Sequence, residues 1–124
     1  MHKSAFKAAE AVRCAGDQGK FWEMHDRLFE NQRALEPFGA HAAGIGLDTT
    51  RFEACLAKDT HAAAIRADMS QAQAAGITGT PGFVLATTDP KNPRKAVALT
   101  FVRGARPFES FKEEIDKALA AAPR

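Results

Sequence analysis

The amino-acid sequence predicts a mostly helical α+β fold: about five helices, then a β-hairpin, then one more helix. Apolar residues recur at helical spacing through most of residues 4–75. The pattern then changes to short strand-like runs at 83–87 and 97–102, and helical spacing returns after Pro107. With 124 residues, 45% of them hydrophobic, the chain can form one domain with a core, although much of that apolar content is alanine, which buries little area.

The first helix spans Ser4 to Ala15: Ala5, Ala8, Ala9, Val12 and Ala15 share a face, and Lys7, Glu10 and Arg13 lie outside it. Gly16 and Gly19 end it. Lys20 to Gln32 carries the bulkiest apolar set, Phe21, Trp22, Met24, Leu28 and Phe29, and Phe21, Trp22, Leu28 and Phe29 are expected in the core. Pro37 marks a break, and a short helix around Ala40–Ala43 stops at Gly44-Ile45-Gly46. Asp48 is suited to cap a helix running through Phe52, Cys55 and Leu56. The longest helix is expected from Asp59-Thr60 to Ala75 on the stripe Ile65, Met69, Ala72, with Gly76 as its stop.

Phe83 to Thr87 reads as a strand, Asp89 to Arg94 as a polar turn, and Val97 to Val102 as the returning strand. Pro107 fits the first turn of a last helix with the stripe Phe108, Phe111, Ile115, Ala118, Leu119. Both strands are apolar on both faces, as strands in the middle of a covered sheet are. A lone hairpin is marginal and leaves unpaired edges. A second chain, most simply another copy of this one, is therefore expected to pair with it.

Composition excludes several classes of partner. The net charge is +2 and basic residues are interleaved with acidic ones, so neither nucleic acid nor a membrane surface is expected as a partner. No run approaches the roughly 18–20 apolar residues of a membrane helix. Met1-His2-Lys3-Ser4 leads into an amphipathic helix with no apolar signal region, which reads as cytoplasmic for the chain as it stands. His2, His41 and His61 have no partners at metal-ligand spacing, so no metal is expected, and no cofactor motif is present. His25, between Trp22 and Phe29, reads as a packing residue, and Lys91, Arg94 and Lys95 as a solvated loop.

Several blocks together point to a known family. They are Phe6-Lys7-Ala8-Ala9-Glu10-Ala11 with Cys14-Ala15, and Gln18-Gly19-Lys20-Phe21-Trp22-Glu23-Met24-His25-Asp26 with Leu28-Phe29 and Asn31-Gln32. Further along come Gly46-Leu47-Asp48 with Arg51-Phe52 and Cys55-Leu56, then Gly76-Ile77-Thr78-Gly79-Thr80-Pro81-Gly82-Phe83, and Gly104-Ala105. On these residues the chain resembles the DsbA-like thiol-disulfide oxidoreductases, thioredoxin folds with an inserted helical lobe. The resemblance implies a helical lobe at 1–76 and a C-terminal thioredoxin-fold portion at 77–124, in a single compact unit.

Members of that family place a strand, a Cys-x-x-Cys helix and a second strand ahead of the segment matched here. The only cysteines in this chain are Cys14 and Cys55. The resemblance therefore implies a truncated member with no catalytic residue, inactive alone. It also implies a bare sheet edge at 83–87, where the strand leading to the dithiol lies in the family, and hence a homo-oligomer formed through that edge. Thr80 and Pro81 match the family's cis-proline loop, so they are expected to bind an extended peptide or protein substrate by strand addition.

Cys14 and Cys55 have neither the spacing nor the helix N-terminal position of a reactive pair. They read either as buried free thiols or, as in several family members, as a structural disulfide linking the first helix to the one after Asp48; Cα atoms more than about 7 Å apart would exclude the bridge. Two other readings remain. One is a non-catalytic helical interaction module. The other is a glutathione-dependent isomerase or kappa-class transferase of the same architecture, which the Gln-Gly-Lys-Phe-Trp block disfavours. The family is mostly exported from the cytoplasm.

Overall fold

In a computed structural model describing residues 3–122, the chain is a mostly helical α+β protein, as its sequence predicts. The helices are α1 (Ala5–Gly16), α2 (Phe21–Glu30), α3 (Phe38–Gly44), α4 (Thr49–Ala57), α5 (Ala62–Ala74) and α6 (Phe108–Ala121). Strands β1 (Gly82–Asp89) and β2 (Asn92–Arg103) form an antiparallel hairpin. The chain divides into two compact units, Met1–Gln71 and Ala72–Arg124.

Four helices end in the same way. After α1 the Lys20 N–H reaches the Ala15 carbonyl at 2.9 Å and the Gly19 N–H reaches Gly16 at 2.9 Å. The same pair of bonds recurs at Gly46 and Leu47 after α3, at Asp59 and Thr60 after α4, and at Gly76 and Ile77 after α5. This is the Schellman closure, which needs a left-handed residue at the first position past the cap. Gly19, Gly46 and Gly76 supply it at φ 74°, 76° and 80°. Asp59 supplies it at φ 49°, a conformation that aspartate tolerates better than most side chains. Asp59-Thr60 thus ends α4 instead of opening α5, which starts at Ala62 and, at 13 residues, is shorter than the 14-residue α6.

In the first unit α1 packs against α2, α3 and α4. Its alanines let the neighbouring helices approach closely, and larger side chains fill the centre. Ala11, Cys14 and Ala15 meet Met24, Leu28, Phe38, Ala42, Leu47 and Phe52 in one buried cluster. Asp48 caps α4 by accepting the Arg51 N–H at 3.0 Å. The Gln18 side chain holds the Asp48 backbone from both sides, accepting its N–H at 3.0 Å and donating to its carbonyl at 3.1 Å. Gln18 therefore ties the turn after α1 to the start of α4.

The aromatic cluster is a correction to the sequence reading. Met24 and Leu28 are buried, but Trp22 is 67% and Phe29 62% exposed. Residues 24 and 28 lie one turn apart and define the inward face of α2. Phe21, His25 and Phe29 form the adjacent stripe, beside α1, and Trp22 lies further out. With Ala5, Ala9 and Val12 of α1, that stripe lines an open apolar groove.

Glu10 is fully buried, and its counter-charge is Lys7, with Nζ 2.9 Å from Oε2. The contact has the distance of an ion pair without hydrogen-bond alignment, so neither Glu10 oxygen has a hydrogen-bond partner among the described residues. Lys7 also donates to Asp59 at 2.6 Å. Asp59 and then Glu10 raise the Lys7 pKa, and Lys7 lowers that of Asp59. The stabilisation from this pair is lost as pH falls through the lowered Asp59 pKa, and again as pH rises through the raised Lys7 pKa. Both partners are solvated, so the effect is modest and screened by salt.

The second unit is the hairpin with α6 against β2. The strands run further than the sequence suggested, and the turn itself is Pro90-Lys91. Asp89 Oδ1 accepts the Lys91 N–H at 2.8 Å and Asn92 Oδ1 the Arg94 N–H at 3.2 Å, side-chain bonds that tighten the reversal. Leu85 pairs with Thr100 but Ala86 with Ala98, so Leu99 is a one-residue bulge. Phe83 stacks edge-to-face on Phe111 of α6 at 4.9 Å. By strand alternation, Val84 and its partner Phe101 lie on the opposite face. None of residues 72–122 is buried. Val84, Val97 and Leu99 are 42%, 58% and 48% exposed.

Candidate functional site

The loop between α5 and β1 carries the sequence-predicted binding residues. Gly76 closes α5, and Ile77 to Pro81 lead into β1. The Thr80–Pro81 peptide is cis. Beyond it the backbone is fixed by the Gly104 N–H, which donates to the Pro81 carbonyl at 2.9 Å. A Cβ on Gly82 would lie 3.0 Å from Ile77 Cγ2 and 3.6 Å from Phe101 Cζ, so this position closes tightly over the end of the hairpin. Thr80 itself is exposed, and among the described residues no backbone hydrogen bond engages it. The Thr80 N–H and C=O, on successive peptide groups, therefore stand free next to an anchored strand.

The cysteines lie in the first unit. Cys14 on α1 and Cys55 on α4 form a disulfide, with Cα atoms 5.9 Å apart. Cys14 sits in the last turn of α1 and Cys55 two residues before the end of α4, so neither gains from a helix N-terminus. Cys14 is buried at 2% exposure and Cys55 is half-buried. Cys55 Sγ touches Asp17 Oδ2 at 3.7 Å. Since the bridged sulfur carries no proton, this is a contact and not a hydrogen bond.

His61 completes a cluster that sequence spacing did not reveal. Its Nε2 is 2.7 Å from Asp17 Oδ2. A ring nitrogen of His61 and the two sulfurs all lie within 4.8 Å of one another. Cys55 and His61 flank the Schellman turn at Asp59-Thr60, and that turn brings the histidine back onto the bridge. The clue in the sequence was the six-residue interval from Cys55 to His61, which has meaning only once the turn is known.

His41 and His25 are structural. His41 accepts from Arg27 Nε at 3.2 Å through Nδ1 and donates from Nε2 to the Ala34 carbonyl at 2.8 Å, which fixes its tautomer. His25 lies between the rings of Trp22 and Phe29, at 5.2 Å and 4.7 Å, in the packing role expected of it. His2 lies outside the described residues. A second cis-proline step, Glu36–Pro37, was read from sequence only as a break.

The DSBA-like thioredoxin domain model matches residues 1–116. Among curated proteins, the chain is 42% identical over 85 residues to the Na(+)/H(+) antiporter NhaA 1 of Salinispora arenicola, a match covering 67% of this chain and 13% of that protein. It is 40% identical over 85 residues to the Na(+)/H(+) antiporter NhaA 3 of Salinispora tropica, with the same coverage of 67% and 13%. It is 38% identical over 78 residues to the Na(+)/H(+) antiporter NhaA of Herminiimonas arsenicoxydans, covering 61% of this chain and 13% of that protein. The chain thus spans about 13% of the length of the curated relatives it matches. No solved structure matches it.

Proposed function

The chain belongs to the DSBA-like thioredoxin domain family, and from that membership we propose that these residues form the helical lobe and the substrate-facing proline loop of a thiol-disulfide oxidoreductase-type domain. The observation that carries this reading is the loop at Thr80, whose backbone is free beside β1, which the Gly104–Pro81 bond anchors. The ligand is an extended peptide or protein segment that adds to the sheet at Thr80. Disulfide exchange requires a thiolate to attack a substrate disulfide through a mixed intermediate. The only two sulfurs of cysteine here are tied to each other, one of them buried, so the 124 residues supply binding without the nucleophile. The transport named for the relatives belongs to proteins of which the matched segment is 13%. No helix among the described residues is long and apolar enough to cross a membrane.

Incubating the chain with insulin and a dithiol reductant tests the reading. The expected rate is that of the reductant alone. Turnover well above that rate, and abolished in Cys14→Ala, would overturn it.

The outer edge of β1 supports a second proposal, pairing with another copy of this chain along residues 83–87. It rests on the absence of any buried residue from 72 to 122, although Phe83, Val84, Phe101 and Val102 are all apolar. Sedimentation over a range of concentrations is expected to show a dimer or larger species, and Val84→Lys is expected to shift it towards monomer. A folded parent chain that stays monomeric throughout would rule out the pairing.

A further inference from the structure

The groups around the Cys14–Cys55 bridge hold chemistry that the family reading leaves unused. Both sulfurs and a ring nitrogen of His61 lie within 4.8 Å of one another. Asp17 Oδ2 is 2.7 Å from His61 Nε2 and 3.7 Å from Cys55 Sγ. Cys14 is buried, and the His61 side chain is only 22% exposed. We propose that reduction of the bridge converts this cluster into a site for a borderline-soft divalent cation of the Zn²⁺ class, bound by Cys14, Cys55 and His61, with Asp17 beside the histidine.

The geometry suits that ion. In a tetrahedral zinc site with Zn–S near 2.3 Å and Zn–N near 2.1 Å, the ligand atoms stand about 3.5–3.8 Å apart. Once the bridge opens, χ1 rotations let the sulfurs part to that spacing while the Cys14 and Cys55 Cα atoms keep their 5.9 Å separation. Two thiolates and an imidazole select Zn²⁺ over the oxygen-seeking Mg²⁺ and Ca²⁺. A carboxylate next to a ligating histidine orients its ring and raises its basicity, and Asp17 is placed for that role. The fourth position is left to water.

The chemistry balances with one named co-reactant. A reduced dithiol, small or of the Cys-x-x-Cys protein class, donates two electrons and two protons. The Cys14–Cys55 bond breaks, two thiols form, and the donor becomes a disulfide. Binding of the cation then displaces both thiol protons to solvent, leaving the thiolates as ligands. Bridge and cation are thus alternative ties between α1 and α4, and exchange between them is set by the redox state of the surroundings.

Titrating the fully reduced, full-length chain with Co²⁺ and following thiolate-to-cobalt charge-transfer absorption tests this. The expected result is a band that saturates at one Co²⁺ per chain, is displaced by Zn²⁺ and is absent from the oxidised chain. His61→Ala is expected to weaken the apparent affinity by at least about tenfold, and Cys55→Ser to abolish the band. No band in the reduced parent, or a His61→Ala variant that binds as tightly as the parent, would overturn the proposal. Far-UV circular dichroism covers the case in which the metal-free reduced chain loses its helices. Zn²⁺ is then expected to restore them, and failure to do so counts against the site equally.

Discussion

Reducing the Cys14–Cys55 bridge in the presence of a metal chelator is expected to destabilise the first unit by about 4 kcal/mol. The bridge spans 41 residues of sequence, and closing a loop of that length removes a correspondingly large entropy from the unfolded chain. Four helices lie wholly or partly inside the loop, so nearly the whole buried cluster depends on it. For a unit of this size the loss corresponds to a fall in melting temperature of roughly 15–30 °C. Calorimetry with and without reductant measures it, and Cys55→Ala gives an independent reading, because Cys55 is only half-buried and its removal leaves little cavity. A loss below about 1 kcal/mol in both experiments would mean that helix packing alone holds the lobe and that the bridge is incidental to its stability.

Phe52→Ala, with the bridge intact, is expected to cost about 3–5 kcal/mol. Phe52 is fully buried and is one of the largest side chains in the cluster, in a core otherwise rich in alanine. Small neighbours cannot expand to fill the space that its ring would leave, so the cavity persists and its cost adds to the lost transfer energy. Trp22→Ala removes a larger side chain, yet is expected to stay within about 0.5 kcal/mol, because Trp22 is 67% exposed. Urea titration of the two variants side by side checks both values. Equal losses would mean that the aromatic face of α2 is buried in solution.

That contrast also marks where the sequence stopped being informative. Periodicity placed α1 through α4 and the hairpin, and Asp48 and Gly76 marked a start and a stop because capping is a local property of one or two residues. Asp59 misled for the same reason. Aspartate is commoner at helix starts than in the left-handed position it takes here, and only the bond from Thr60 to Cys55 shows which role it has. The exposure of Trp22 and Phe29 could not be read from α2 alone, since two neighbouring stripes were apolar and only the packing of α1 decides which one turns inward. At the loop, the cis step at Pro81 came from the resemblance of Gly79-Thr80-Pro81 to the family's loop, because local sequence alone favours a trans proline. The approach of His61 to the cysteines was not legible, because it depends on how one turn folds back after α4.

The bridge has a further consequence when the backbone is broken. Residues 14 to 55 form a covalent ring closed through the two sulfurs. A single cut by a protease anywhere inside that ring, for example in the exposed stretch 31–34, opens the ring but leaves both halves joined. The nicked molecule keeps its mass, apart from one added water, and separates into two pieces only under reducing conditions. A single proteolytic cut within that ring is therefore invisible by size until the surroundings become reducing.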